Sequence, residues 1–251
     1  PMKLSRRAFL AGAGAVISQN AFGSVIDLSK ENETARVLTA RRASASILPS
    51  DLASPTAIWG FDGTAPGPVL RAKAGERLKV VVENGLDQPT SVHWHGIRID
   101  NAMDGVSGLT QDVVQPEETF DYDFTVPDAG TYWYHAHNRS FEQVGRGLYG
   151  ALIVEEAEPL DIDREEVLIL DDWLIDPETA QIKDDFGAPH DLSHAGRIGN
   201  LLTTNGTFNL GLSARKNERL RLRLINAANA RNFQLGLEGL DGWAVALDGM
   251  P

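Results

Sequence analysis

The stretch TFDYDFTVPDAGTYWYHAH, residues 119–137, decides the fold. Phe120, Tyr122 and Phe124 alternate with Asp121 and Asp123. A period of two puts the aromatics on one face of a β-strand and the acids on the other. Pro127 and Gly130 punctuate the run, and a second strand is predicted over 131–137. The same grammar extends outward. RLKVVVEN, at Arg77–Asn84, is a β-branched run behind the turn Ala74-Gly75-Glu76, and 148–154 reads as another strand. Pro66-Gly67-Pro68 and Pro116 mark further turns. Many short strands with such turns predict an all-β protein of antiparallel β-sandwich type.

A chain of 251 residues can bury the cores of two domains. The net charge of -12 argues against nucleic acid as a partner. With no cysteine, disulfides, cysteine catalysis and thiolate metal sites are excluded within these residues. Ser5-Arg6-Arg7-Ala8-Phe9-Leu10 fits the twin-arginine export pattern. The apolar stretch 8–15 behind it is too short, and too rich in glycine and alanine, to span a bilayer. Residues 1–23 are therefore read as a cleavable signal, without a membrane anchor, that sends the protein to the periplasm. Residues 24–54 read as a polar leader, 55–157 as a first domain and 158–251 as a second.

The second part repeats the first. Asp62-Gly63-Thr64 returns as Asn205-Gly206-Thr207, Glu76-Arg77-Leu78 as Glu218-Arg219-Leu220, and Asn84 as Asn226, at an offset of about 142. In the copy, Leu220, Leu222 and Leu224 alternate with Arg219, Arg221 and Arg223, which predicts an apolar face backed by a charged one. The chain stops soon after Leu247-Asp248-Gly249, which resembles Met103-Asp104-Gly105, so the second domain is expected to be truncated.

Four of the six histidines lie in two pairs, His93/His95 in HWHG and His135/His137 in WYHAH. Residues i and i+2 of a strand face the same way, roughly 7 Å apart. Two such strands side by side gather four imidazoles, a donor set that favours copper or zinc. The repeat places Leu235 and Leu237 where the first unit has His93 and His95, so the fold itself has no need of histidine there. The i, i+4 pair His190 and His194 sits among Gly187, Pro189 and Gly196 and reads as solvated loop. Asp171-Asp172 reads as the polar end of a strand over 167–170, and Trp173 as packing.

HWHG and WYHAH resemble the first two copper motifs of the multicopper oxidases, the laccase-like cupredoxin enzymes. Asp104-Gly105, then Gln111 and Pro116, and the closing GLYGALIV at 147–154 fit the same family. The resemblance covers 59–154 closely and 168–251 more loosely. It implies cupredoxin-like Greek-key β-sandwich domains, one complete and one incomplete. It also implies that His93 ligates a type 2 copper and that His95, His135 and His137 ligate a type 3 pair, half the histidines of a trinuclear cluster that reduces dioxygen to water. The spacing alone equally permits chelation of one metal. Asp104 would assist proton delivery by the same resemblance; the other reading is a turn aspartate before Gly105.

The family's type 1 copper needs a cysteine, and further cluster histidines belong to a C-terminal domain; neither is in this sequence. Two readings follow. In one, the chain is the N-terminal part of a periplasmic laccase-like multicopper oxidase, inactive alone. Its partners are dioxygen, a small reducing substrate and the missing C-terminal cupredoxin domain. Phenols, aromatic amines and cuprous ion all stand as reducing substrates. In the other, it is a non-catalytic copper-binding or interaction protein of cupredoxin type.

Exchanging both Arg6 and Arg7 for lysine should strand the protein in the cytoplasm; fractionation that finds undiminished periplasmic protein in the double variant would contradict the export reading.

Overall fold

The computed structural model describes residues 24–27, 35–158, 160–193 and 196–248. The proposed signal at 1–23 lies outside them, as do His194 and Gly249. In chain order the strands are β1 (Val25–Asp27), β2 (Arg36–Ala45), β3 (Thr56–Phe61), β4 (Val69–Lys73), β5 (Arg77–Asn84) and β6 (Val92–His95). They continue with β7 (Thr119–Thr125), β8 (Gly130–Ala136), β9 (Tyr149–Glu155), β10 (Arg164–Trp173), β11 (Leu201–Thr204) and β12 (Leu220–Asn226). Two short helices, α1 (Ser140–Gln143) and α2 (Pro189–Ser193), lie between strands.

Two sheets face each other in the first part. One has the order β1-β4-β9-β8-β6, the other β3-β2-β5-β7. The alternation in β7 works as its sequence requires. Tyr122 and Phe124 point inward, beside Leu78, Val80 and Val82 of β5, and Trp94, Tyr132 and Tyr134 meet them from the other sheet. Trp94 is fully buried, with ring centroids 5.0 Å from Phe124 and 5.5 Å from Tyr122. Each such aromatic removes about 150–250 Å² from water, so this cluster is the main apolar contribution to the first unit.

The arrangement is mixed rather than purely antiparallel. β1 with β4, β4 with β9 and β2 with β5 are parallel pairs. Connections that cross between the two sheets bring strands of the same direction together, which local turn signals do not reveal. Residues 24–54 are also not a leader. They supply β1 and the ten-residue β2, which lies between β3 and β5 in the middle of its sheet. The inward side chains of β2 include Leu38 and Ala40, while Arg41, Arg42 and Ser44 face outward, so its apolar signal is weak.

The third sheet, β11-β10-β12, rebuilds part of the first unit. β12 runs parallel to β10 as β5 does to β2, and β11 is antiparallel to β10 as β3 is to β2. The polar details repeat as well. Asp62 and Asn205 both have positive φ, and their side chains accept from Thr39 N at 3.0 Å and Ile169 N at 2.8 Å. Asn84 and Asn226 each accept from the amide two residues on, at 3.0 Å. Leu235 and Leu237, by contrast, lie in no strand and are exposed.

β12 turns the expected faces round. Arg223 is 3% exposed, whereas Leu224 is 50% exposed. The face carrying Arg223 and Ile225 packs toward β8 and β9, where Val167, Ile169, Ile225 and Ala227 meet Tyr149, Ala151 and Ile153. Arg223 finds a carboxylate there, its Nε 2.8 Å from Glu165, and its Nη1 donates to Thr131 at 2.9 Å. Arg71 and Arg221 also reach Glu165. Partners this distant in sequence outweigh a local leucine pattern. Asp171 and Asp172 lie near the C-terminal end of β10, as expected, but that end is buried rather than solvated. Tyr149 donates its hydroxyl to Asp171 at 2.6 Å, and Gly199 N and Arg231 Nε donate to Asp172 at 2.6 and 2.8 Å. Burial holds the Asp171 carboxyl well above the usual carboxylate range. Trp173 is packing as expected, with Nε1 donating to Thr203 at 2.9 Å.

Breaking a buried ion pair costs about 3–5 kcal/mol when the partner is left alone. Arg223→Ala should cost somewhat less, about 2–3 kcal/mol, because Arg71 and Arg221 still serve Glu165. Leu224→Ala should cost under about 1 kcal/mol. Denaturant midpoints of the two variants test this inversion of the leucine pattern.

Candidate metal centre

β6 is the edge strand of the five-stranded sheet and pairs antiparallel with β8. His93 stands opposite His135, and His95 opposite Trp133. Val92 and Trp94 point into the core, so the period of two turns His93 and His95 to the outer face. His135 shares that face. His95 is exposed at the sheet edge and His135 is buried. Tyr122, from the opposite sheet, accepts the Val92 N–H at 3.0 Å and ties the edge strand down.

The imidazoles converge on His93. Its ring centroid lies 5.4 Å from His95, 5.4 Å from His135 and 5.3 Å from His137. Potential ligand atoms of His93, His95 and His135 lie within 4.8 Å of one another. His137 follows the end of β8 and stays outside that triad, though its ring touches His93.

Hydrogen bonds assign the protons. His93 Nδ1 lies 2.7 Å from the Asp104 carbonyl, which can only accept. The proton is therefore on Nδ1, and Nε2 keeps its lone pair for a metal. His135 Nδ1 donates to the Ala136 carbonyl at 3.0 Å by the same logic, which leaves the lone pair of His135 Nε2 facing His95 Nδ1 at 3.2 Å. Two nitrogens about 2.0–2.1 Å from one tetrahedral ion would lie about 3.3 Å apart. The observed separation fits two ligands of one ion. An all-imidazole set suits copper and zinc, so the residues present fit such a metal.

Burial pushes the His135 imidazolium down to about 3; the neighbouring His93, His95 and His137 act the same way, against the Ala136 carbonyl. His95, exposed as a whole, is also lowered, first by the partial desolvation of its ring, then by His93 and His137, and against Asp104. Both rings therefore stay neutral, as ligands must.

Asp104 caps the 3-10 turn Asn101–Met103. Its carbonyl is the partner of His93, and its carboxylate Oδ1 lies 3.5 Å from the same nitrogen. Gly105 has φ +81°, and a Cβ there would come within 1.7 Å of the Val92 carbonyl oxygen. Only glycine lets this loop lie against β6. His190 lies on α2, away from the cluster, with Nδ1 3.8 Å from Asp191. Sequence reasoning missed Trp133, whose ring lies 4.2 Å from His135 and 4.9 Å from His95. Its place two residues before His135 was the available signal.

The fold and this cluster define a cupredoxin-type protein with a histidine-rich centre between paired strands. Residues 45–159 match the family model described as multicopper oxidase. The chain is 47% identical to Copper resistance protein A of Escherichia coli over 45% of its own length and 19% of that protein. It is 34% identical to Multicopper oxidase MmcO of Mycobacterium tuberculosis over 87% of its length and 49% of that protein. Among solved structures, Lac15 from a marine microbial metagenome superposes with a TM-score of 0.75 at 46% identity, covering 87% of this chain and 54% of that one. A multi-copper oxidase from Pseudomonas Thermotolerans gives a TM-score of 0.71 at 39% identity, covering 83% and 48%. The chain belongs to the multicopper oxidase family, and it spans about half the length, or less, of these relatives.

A histidine with its folded value depressed binds fewer protons than the unfolded chain between that value and about 6.5. The contribution of His135 to stability is thus full above about 6.5 and is lost as pH falls toward about 3. In the metal-free protein it should add up to ~1.4 kcal/mol per pH unit of acid sensitivity across that window. Denaturant titrations at a series of pH values should show a shallower slope for His135→Gln; an unchanged slope would count against the buried neutral ring.

Proposed function

We propose that His93, His95, His135 and His137 hold copper, and that the chain contributes half of a trinuclear copper centre to a laccase-like multicopper oxidase. The observation that carries this reading is the convergence of three imidazoles on His93, with centroids 5.3–5.4 Å away. Copper at such a centre supplies the electron storage through which dioxygen is reduced to water. The protein's own residues prepare it. His93, proposed for the type 2 site, presents Nε2 because the Asp104 carbonyl occupies Nδ1. His95, His135 and His137 are proposed for the type 3 pair. The Asp104 carboxylate is partly exposed and lies 3.5 Å from His93 Nδ1, a position suited to passing protons from solvent toward the centre.

Electrons from a small reducing substrate enter this family through a copper held by a thiolate. The 251 residues contain no cysteine, so this copper must come from a further cupredoxin domain. On this reading the chain alone is not an oxidase. The twin-arginine pattern at Arg6-Arg7 supports work in the periplasm. The lack of cysteine also favours a second reading, a cupredoxin-type copper-binding protein without catalysis.

Copper titration of the chain and of alanine variants tests the site. Each of His93→Ala, His95→Ala, His135→Ala and His137→Ala should weaken binding about ten-fold or more, while His190→Ala should not. Loading should give no intense blue band and no phenol oxidation above that of free copper. Joined to a domain carrying the cysteine and the remaining histidines, the chain should gain oxidase activity, and alanine at any one of the four should abolish it. Full activity in His93→Ala would sink the assignment, and persistent inactivity of the joined protein would favour the second reading.

A further inference from the structure

The histidines differ in how they are held. His93 and His135 each have a ring nitrogen bonded to a carbonyl. His137 has ring contacts with His93 and His135 but no ring hydrogen bond among the described residues. It also follows Ala136, the last residue of β8, and only its own main-chain bonds hold it against the segment ahead of β6. The direction of its ring depends on its main chain.

That main chain is held on both sides. The His137 N–H donates to the Ser91 carbonyl at 2.9 Å. The Ser107 hydroxyl donates to the His137 carbonyl at 3.2 Å. Ser107 Oγ also lies 2.7 Å from Ser91 Oγ. A hydroxyl has one proton, so Ser91 must be the donor in that pair. The bonds close a ring from Ser91 through Ser107 to His137 and back to Ser91. Ser91 is fully buried just ahead of β6, so the ring is anchored to the strand that carries His93 and His95.

Ser107 is itself fixed. Gly105 presses the loop against Val92, and the Thr110 hydroxyl accepts from Val106 N at 2.9 Å. Gly108 N donates to the Gln111 carbonyl at 2.9 Å. One short loop thus makes two clamps, the Asp104 carbonyl on His93 and the Ser107 hydroxyl on the backbone of His137. The two rings it governs are adjacent, 5.3 Å apart.

We infer that Ser107 is a positioning residue that, with Ser91, aims His137 at the metal centre. This rests on the reading of the four histidines as copper ligands. Losing a group that orients a ligand typically weakens metal affinity about 10–100-fold. The test is anaerobic titration of the chain with copper(I), following affinity against a competing chelator and the imidazole NMR signals. Ser107→Ala should weaken copper about ten-fold and leave the His137 signal unshifted at copper levels that still shift His93, His95 and His135. Ser107→Thr, which keeps the hydroxyl, should restore both; Ser107→Val, its isostere, should behave like alanine. A merely structural loss would move all four signals together. Should the alanine variant fold poorly, the threonine and valine pair decides. The inference is overturned if the valine and threonine variants bind alike, or if His137 still shifts with the others in Ser107→Ala. Copper binding indifferent to His93→Ala and His135→Ala would instead remove the underlying reading of the site, and the inference with it.

Discussion

The pairing register of β6 with β8 is the constraint on which the centre depends. His93 faces His135 across the ladder, so two residues far apart in sequence become neighbours. A slip by one residue would turn every side chain of β6 to the opposite face, sending the histidines into the core and Trp94 into solvent. Burying Trp94 completely among Tyr122, Phe124 and Tyr134 makes such a slip costly. The Tyr122 hydroxyl on Val92 N adds a directional tie. The apolar core on one side of the sheet thereby sets the geometry of the histidine cluster on the other. An edge strand is a natural place for this, because its outer neighbour is a loop that can be shaped to the ligands rather than another ladder.

Much of this was legible in the sequence because it depends on local periodicity. The alternation in β7 gave its inward aromatics, and the i, i+2 spacing gave the shared face of His93 and His95. The unread features depend on partners that periodicity cannot name. β2 carries alanines and arginines, and only its neighbours on both sides make it a central strand. Arg223 alternates with leucines like any outward charge, yet Glu165 and Thr131 draw it inward. His137 falls in its motif as His135 does, but β8 ends between them, so the pair is held by different means. Ser91 and Ser107 carry no pattern at all. Their role exists only once the loop after Gly105 lies against β6.

The repeated unit separates scaffold from site. The turn at Asp62 and the turn at Asn205 use the same positive φ and the same side-chain bond to a neighbouring strand. Asn84 and Asn226 repeat a second such bond. These polar groups answer to backbone geometry, which explains why an aspartate and an asparagine can exchange there: both accept through Oδ1. The offset in sequence sets Leu235 and Leu237 against His93 and His95, but these leucines lie in no strand, so the repeat seen in the structure is that of the frame. What is duplicated is therefore the frame that closes turns and satisfies strand ends. What is not duplicated is a set of groups that the frame does not require.

The site also shows why its rings need a partly covered face. Four imidazoles in water near neutrality would share protons, and each proton would remove a lone pair. Here His135 is buried, and that burial together with the neighbouring rings keeps it neutral. Full burial of all four would close the cluster to any ion from solvent, and full exposure would let the rings charge. The arrangement divides the two demands. His135 is covered and His95 is open. The carbonyls of Asp104 and Ala136 fix which nitrogen of His93 and His135 is free, since a carbonyl accepts a proton's bond and never gives one. Burial of one ring thus tunes the cluster, while the others stay within reach of solvent.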